Sequence, residues 1–288
     1  MNRREFMIKT GAVGVAAMAA GIAGGRLGAE ELAQAMPKIK LGPFEVSRFI
    51  LGANPFAGYA HRPGTDLETE MKAFYTDERI MAVLDEAAAC GITAVSVWPG
   101  KWWFDLWAKY KSRGGRMPAW ISQPMPAPEK MKEEIADSVK NGAKAVYVQG
   151  HCVEREFEGG TFDTCRGWLE HIKSLGVGAG LAAHRPDVHL EAEKRKFPAD
   201  FYFQCFYNVA HGDKVYSAED RRKAVEAMAQ IEKPVVGYKI LGAGRFPAAE
   251  SFAFALKHLR ARDGFCVGVF PKDNPHEIRE DVRLALGR

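Results

Sequence analysis

Eight short apolar runs recur along the chain, each separated from the next by room for a helix. They are RFILGA (48–53), ITAVSVW (92–98), PAWIS (118–122), KAVYVQ (144–149), VGAGLAA (177–183), FYFQCF (201–206), PVVGYKI (234–240) and FCVGVF (265–270). Runs this short and continuous suit parallel strands buried on both faces. The intervening segments carry helical patterns. In DERIMAVLDEAAACG, Ile80, Val83, Leu84 and Ala87 share one face and Gly91 ends the pattern. Two further patterns stop at Asn141-Gly142 and before Pro234. Eight strand–helix units predict an α/β fold, a (β/α)8 TIM barrel. A doubly wound open sheet is the runner-up, but no Gly-x-Gly-x-x-Gly follows the first strand.

Residues 1–35 read as an export segment, leaving residues 36–288 as one barrel domain. Arg3 and Arg4 are paired, with Phe6 and Lys9 close behind, and the run from Gly11 to Gly25 is uncharged and rich in Ala and Gly. It is short of the roughly 20 apolar residues a membrane span needs. Ala33 and Ala35 offer small residues where a signal peptidase reads. The segment resembles a twin-arginine signal. It implies the twin-arginine export machinery as a partner, a periplasmic or extracellular location, and no stable membrane anchor.

A formal charge of +4 spread along 288 residues gives no reason to expect nucleic acid as a partner. The clusters EKRK (193–196) and DRRK (220–223) read as solvated helix faces. None of the five cysteines forms a Cys-x-x-Cys pair, which excludes zinc-ribbon and dithiol redox motifs. Export allows a disulfide between Cys152 and Cys165. The settings of Cys90, Cys205 and Cys266 are those of buried thiols.

In a TIM barrel the residues just after each strand share the face that carries chemistry. Here they are Asn54 and His61; Trp98, Trp102, Trp103 and Trp107; Gln123; Gln149, His151 and Glu154; His184, Arg185 and Asp187; Tyr207, Asn208 and His211; Tyr238 and Lys239; Lys272 and Asp273. Half of the chain's eight histidines fall on this mouth. His151 and His184 leave adjacent strands, so they can share one ligand, ion or water, with Glu154 or Asp187 holding one ring. They are candidate catalytic residues, acting as acid and base or as ligands of a divalent metal completed by His211 and Glu154. Lys239 ends an apolar strand and is a third catalytic candidate, as a base or Schiff-base nucleophile, or else a salt-bridge partner of Asp273 or Glu154. Asn54, Gln123, Gln149, Tyr207 and Asn208, with the aromatic walls Trp98 and Trp102, suit a sugar-like small molecule: rings stack on its apolar face and amides bond its hydroxyls. Trp103 and Trp107, at helical spacing, read as core.

KLGPFEVSRFILGANPFAG (40–58), QCFYN (204–208) and CVGVFPKDNPHEIREDVRLAL (266–286) resemble the opening, sixth strand and last strand–helix unit of the aldo-keto reductases. That resemblance implies a hairpin capping the barrel floor, formed by IKLGPFEV, and in typical members an NADP-dependent carbonyl reductase. The family's catalytic Asp, Tyr and Lys are not matched. Ser96, Trp102 or Trp103, and Gln123 stand in their places, and only His151 lies near the family's His. A divalent metal therefore suits the histidines better than NADP suits the remainder. The expected function is an exported enzyme acting on a carbohydrate or related polyol or carbonyl compound, by histidine acid–base or metal-assisted chemistry of the isomerase, lyase or hydrolase type. An NADP-dependent reductase and a non-catalytic sugar-binding barrel are the alternatives.

Overall fold

The computed structural model describes residues 28–207 and 216–288. The arginine pair and the apolar run that follows it, together with Asn208 and His211, lie outside the described residues. The chain opens with helix α1 (Ala29–Ala35) and the antiparallel hairpin β1 (Lys38–Leu41) and β2 (Phe44–Ser47). The barrel then alternates strands and helices: β3 (Phe49–Gly52), α2 (Leu67–Phe74), α3 (Asp77–Ala89), β4 (Ala94–Val97), α4 (Lys101–Ser112), β5 (Ala119–Ser122), α5 (Met131–Lys140). It continues with β6 (Ala145–Val148), α6 (Gly150–Glu158), α7 (Asp163–Ser174), β7 (Gly178–Ala183), α8 (Pro186–Lys194), β8 (Phe201–Cys205) and α9 (Ala218–Gln230). The last units are β9 (Val235–Tyr238), α10 (Ala248–His258), β10 (Gly264–Gly268) and α11 (Glu277–Ala285).

Strands β3 to β10 are all parallel and close on themselves, β10 pairing with both β3 and β9. The molecule is a (β/α)8 barrel, and the open-sheet alternative is excluded. Each of the eight apolar runs coincides with one barrel strand, β10 beginning one residue before its run, at Gly264. Side chains alternate across each strand, so one set fills the lumen and the other packs under the helices. The lumen mixes small residues (Ala94, Ala119, Ala145, Ala182) with Tyr147, Phe201 and Phe203, which interdigitate rather than leave a pore. Phe49, Leu51, Val95, Val97, Trp120, Val146, Val148 and Leu181 point outward into the helix-covered shell, where Trp103 and Trp107 are also buried.

The hairpin closes the end of the barrel where the strands begin. Ile39, Leu41 and Val46 join the lumen cluster from below. Contact there is close enough to require glycine at the start of β7: a Cβ on Gly178 would lie 2.3 Å from the Leu41 carbonyl oxygen. The floor is tied by Ser47 and Thr93, each backbone N–H donating to the other's hydroxyl at 2.7 and 2.9 Å. It is tied again by buried Asp263, whose carboxylate accepts from the Val235 N–H at 3.0 Å and from the Arg260 guanidinium. The opposite end is thereby left for the loops that follow the strands.

Helix α1 lies within the segment expected to be exported and removed, yet it docks on α3 and α11, with Leu32 and Met36 buried. Gly91, with φ +90°, lets the end of α3 pass Ala33; an added Cβ would sit 2.6 Å from that residue's Cα. The expected processing point after Ala35 thus falls at the end of a docked helix. Cys152 and Cys165 are free buried thiols on α6 and α7, and burial pushes both pKa values up. Among the described residues no helix is long and apolar enough to cross a membrane.

Two glycine substitutions test this packing. Gly178→Ala should lower the free energy of unfolding by about 1–3 kcal/mol, because neither backbone can yield cheaply. Gly167→Ala, in α7 with nothing within 4 Å of its added Cβ, should raise it by about 0.5–1 kcal/mol. Denaturant titration of both variants reads the difference. Equal effects would contradict the placement of the hairpin.

Candidate active site

Above the lumen the strand ends surround a cavity of about 720 Å3, lined by residues from most of the barrel's units. Its base is a chain of neutral hydrogen bonds. Tyr147, on lumen parity in β6, stacks on Phe203 with ring centroids 3.9 Å apart. Its hydroxyl donates to Gln123 Oε1 at 3.1 Å and shares a 2.8 Å hydrogen bond with the Ser96 hydroxyl. Burial raises the Tyr147 pKa, with Cys266 nearby adding to the rise, while the hydrogen bond from Ser96 opposes it. Ser96 and Gln123 stand where the family resemblance would put Asp and Lys, and both are uncharged.

The histidine wall is built differently. Strand β6 ends at Val148, and Gln149 caps α6 by accepting the His151 N–H on Oε1 at 2.8 Å. Gly150 begins the helix directly over His184; a Cβ there would lie 3.1 Å from His184 Nδ1, so a larger residue would press on that ring. One turn later the same helix delivers Glu154, which is buried. Its Oε1 accepts the backbone N–H groups of His184 at 2.6 Å and Arg185 at 2.9 Å. Its Oε2 lies 2.9 Å from His184 Nδ1. Burial pushes the Glu154 pKa up, but these hydrogen bonds, led by that of His184, outweigh it and the net shift is downward. An ionised carboxylate can only accept, so Nδ1 carries a proton, and in the neutral ring Nε2 is then the acceptor.

His151 sits beside this pair at the exposed rim, its ring 4.7 Å from that of His184 and tilted by 35°. Tyr238 meets His184 edge-on at 5.8 Å. Ligand atoms of His151, Glu154 and His184 all lie within 4.8 Å of one another, a spacing open to a metal ion. As arranged, however, both Glu154 oxygens are engaged by His184 and Arg185, and Glu154 does not line the cavity. It orients His184 rather than standing as a ready ligand. Asp187 pairs with Arg185 at 2.6 Å and leaves that role to Glu154.

Of the other sequence candidates, Asn54, Trp98, Gln123, Gln149 and Lys239 line the cavity. Asn54 Nδ2 lies 3.0 Å from His61 Nε2. Tyr207 does not line it: its ring is buried, stacked on Phe246 and tilted against Tyr216 beneath the loop after β9. Trp102 is also outside, half-exposed and stacked on the outer face of Trp98 at 5.6 Å. Both expectations took proximity to a strand end for orientation into the cavity. Tyr147 was missed because it sits inside an apolar run, although it lies two residues before Gln149 and so shares its face.

No protein-family model and no curated protein matches the chain. Among solved structures it is similar to two from Pseudomonas aeruginosa assigned as aldo-keto reductases. They have TM-scores of 0.60 and 0.59 and 18% identity, over 87% of this chain and 94% of each of theirs. It is also similar to an N-acetylmannosamine-6-phosphate 2-epimerase from Clostridium perfringens, with a TM-score of 0.52 and 12% identity over 79% of this chain and 90% of that one. At these identities the likeness shows the barrel fold alone.

The depressed pKa of Glu154 sets a stability signature. Its contribution is fully present above the unfolded carboxylate value of about 4.3 and is lost as pH falls through the lower folded value. Glu154→Gln, which sets an amide against backbone donors, should cost about 1–3 kcal/mol at neutral pH. The gap between the two proteins should narrow under acid, read from urea midpoints at neutral and acid pH. A gap that does not change with pH would contradict the ionised carboxylate.

Proposed function

We propose that this chain is an exported TIM-barrel enzyme acting on a carbohydrate or related polyol or carbonyl compound. The chemistry is proton transfer at His184, of the isomerase or lyase type. The observation that carries this reading is the buried Glu154 carboxylate, 2.9 Å from Nδ1 of the cavity-lining His184, which in the neutral ring makes Nε2 the acceptor. A base so held takes a proton from a hydroxyl, or from a carbon beside a carbonyl. Glu154 stabilises the resulting imidazolium without itself taking the proton. His151, 4.7 Å away at the rim, is placed to return a proton on the solvent side. The Gln123 amide, oriented by Tyr147 and Ser96, holds a substrate oxygen at the base, and Trp98 offers a flat wall for a sugar ring.

The spacing of His151, Glu154 and His184 supports a second reading, metal-assisted chemistry at the same place, in which the Glu154 oxygens would release His184 to share an ion. Stoichiometric zinc or manganese in the purified protein would favour it. The resemblance to aldo-keto reductases also implies NADP, and the residues present do not fit that chemistry. A carbonyl reductase needs a proton donor whose pKa a neighbouring cation lowers. Tyr147 instead lies between Ser96 and Gln123, with its pKa raised.

Two experiments test the proposal. Incubating a panel of aldoses, ketoses and their sugar acids with the protein in D2O should put deuterium at a carbon-bound position, seen by proton NMR. His184→Gln should slow that exchange by about 100-fold or more. Undiminished exchange in the variant, or none with the native protein, would overturn the assignment. For export, replacing Arg3 and Arg4 by Lys should hold the precursor in the cytoplasm, because the paired guanidinium groups are what the exporter reads. Normal export of that variant, scored by fractionation, would remove the twin-arginine reading.

A further inference from the structure

We propose that the ligand of this cavity carries a carboxylate, as a uronic or aldonic acid or a related hydroxy acid does, and that it docks on the side-chain amides of Gln149 and Gln123 beside Lys239. The inference rests on the sugar-type reading above and narrows its substrate class.

The polar wall is biased toward donation. Gln149 Oε1 accepts the His151 backbone N–H, a group that can only donate, so the amide orientation is set and its NH2 is what remains for a ligand. Gln123 Oε1 is engaged by the Tyr147 hydroxyl, which leaves its NH2 as well. The two glutamines follow neighbouring strands, β5 and β6, each one residue beyond the strand end. Ser122 pairs with Val146, so Gln123 is level with Tyr147 and Gln149 stands two residues higher on the same face, leaving the two amides diagonal neighbours on one wall. Lys239 and Arg62 add cationic donors to the lining. Against them, among the described residues, stands one lining carboxylate, Glu277, whose Oε2 accepts the Phe270 N–H at 3.0 Å. A hydroxyl brings a donor of its own into such a wall, whereas a carboxylate brings only acceptors.

The backbone around Lys239 points the same way. Four non-glycine residues among those described have positive φ, and three of them line this cavity: His61 (51°), Lys239 (55°) and Ala243 (54°). Left-handed backbone costs such residues about 1–2 kcal/mol each and is characteristically held where a ligand is handled. The loop carrying two of them is clamped by Arg245, which donates to the Gly242 carbonyl at 3.1 Å and to the His61 carbonyl at 2.8 Å. That clamp joins the loop after β9, which carries Lys239, to the loop after β3 past the end of β10 between them.

Calorimetric titration with glucuronate, glucose and glucose 6-phosphate tests the proposal. Glucuronate should bind about tenfold or more tightly than glucose, and also more tightly than the phosphate ester. Gln149→Glu keeps an acceptor for the His151 N–H, so α6 stays capped, but it replaces the NH2 with an oxygen. It should remove the preference for the acid, and Lys239→Met should weaken it. His184→Gln, which reports on the base, should leave the preference in place, so failure of the docking site and failure of the proton-transfer reading are distinguishable. Equal binding of glucose and glucuronate, tighter binding of glucose 6-phosphate, binding of no probe, or an unchanged preference in Gln149→Glu would each overturn it.

Discussion

A carboxylate taken out of water has to be met by donors, and Glu154 is met by three: two backbone N–H groups at the end of β7 and the Nδ1–H of His184. That one ion fixes several features at once. It holds the turn after β7 against the first turns of α6, and it chooses the tautomer of His184. It also keeps the imidazole upright beside His151. Without it the two histidines would be rim residues with no defined roles. With it, one is a buried imidazole held by a counter-ion and the other stands beside it at the exposed rim.

The arrangement depends on how the chain leaves β6. Gln149 caps α6 with its own side chain, Gly150 lets the helix start against His184, and a single turn then carries Glu154 inward. The amide that caps the helix also lines the cavity, so a local folding signal sets which hydrogen-bonding group a ligand meets. At the base, Ser96, Tyr147 and Gln123 form a neutral chain where a reductase of this fold would place charge. The barrel fold is shared with the solved structures it is similar to.

Strand positions were legible in the sequence because parallel strands covered on both faces must be continuous apolar runs, and the hairpin was legible from its motif. The histidine pair was legible because strand-end residues converge. Orientation was harder. Tyr147 hid inside an apolar run, since a phenol in a barrel lumen satisfies both the hydrophobic pattern and the polar site. Tyr207 turns into packing against Phe246, and Trp102, on α4, stacks on the outside of Trp98, contacts that no spacing rule reveals. Glu154 was visible as an acid near two histidines. Whether it faced an ion or an imidazole depended on which backbone donors β7 would present. Helix α1 was read as part of an export segment from its composition, while its docking rests on one buried leucine and on the passage that Gly91 allows.

The central claim is that Glu154 holds His184 as its Nδ1–H tautomer with Nε2 free to accept. Nitrogen-15 NMR of histidine-labelled protein measures this directly, because protonated and unprotonated ring nitrogens resonate far apart. With the His184 signals assigned by substitution, the account predicts a protonated Nδ1 and an unprotonated Nε2 at neutral pH, with the preference lost in Glu154→Ala. An Nε2–H tautomer, or a His184 spectrum indifferent to the loss of Glu154, would contradict it.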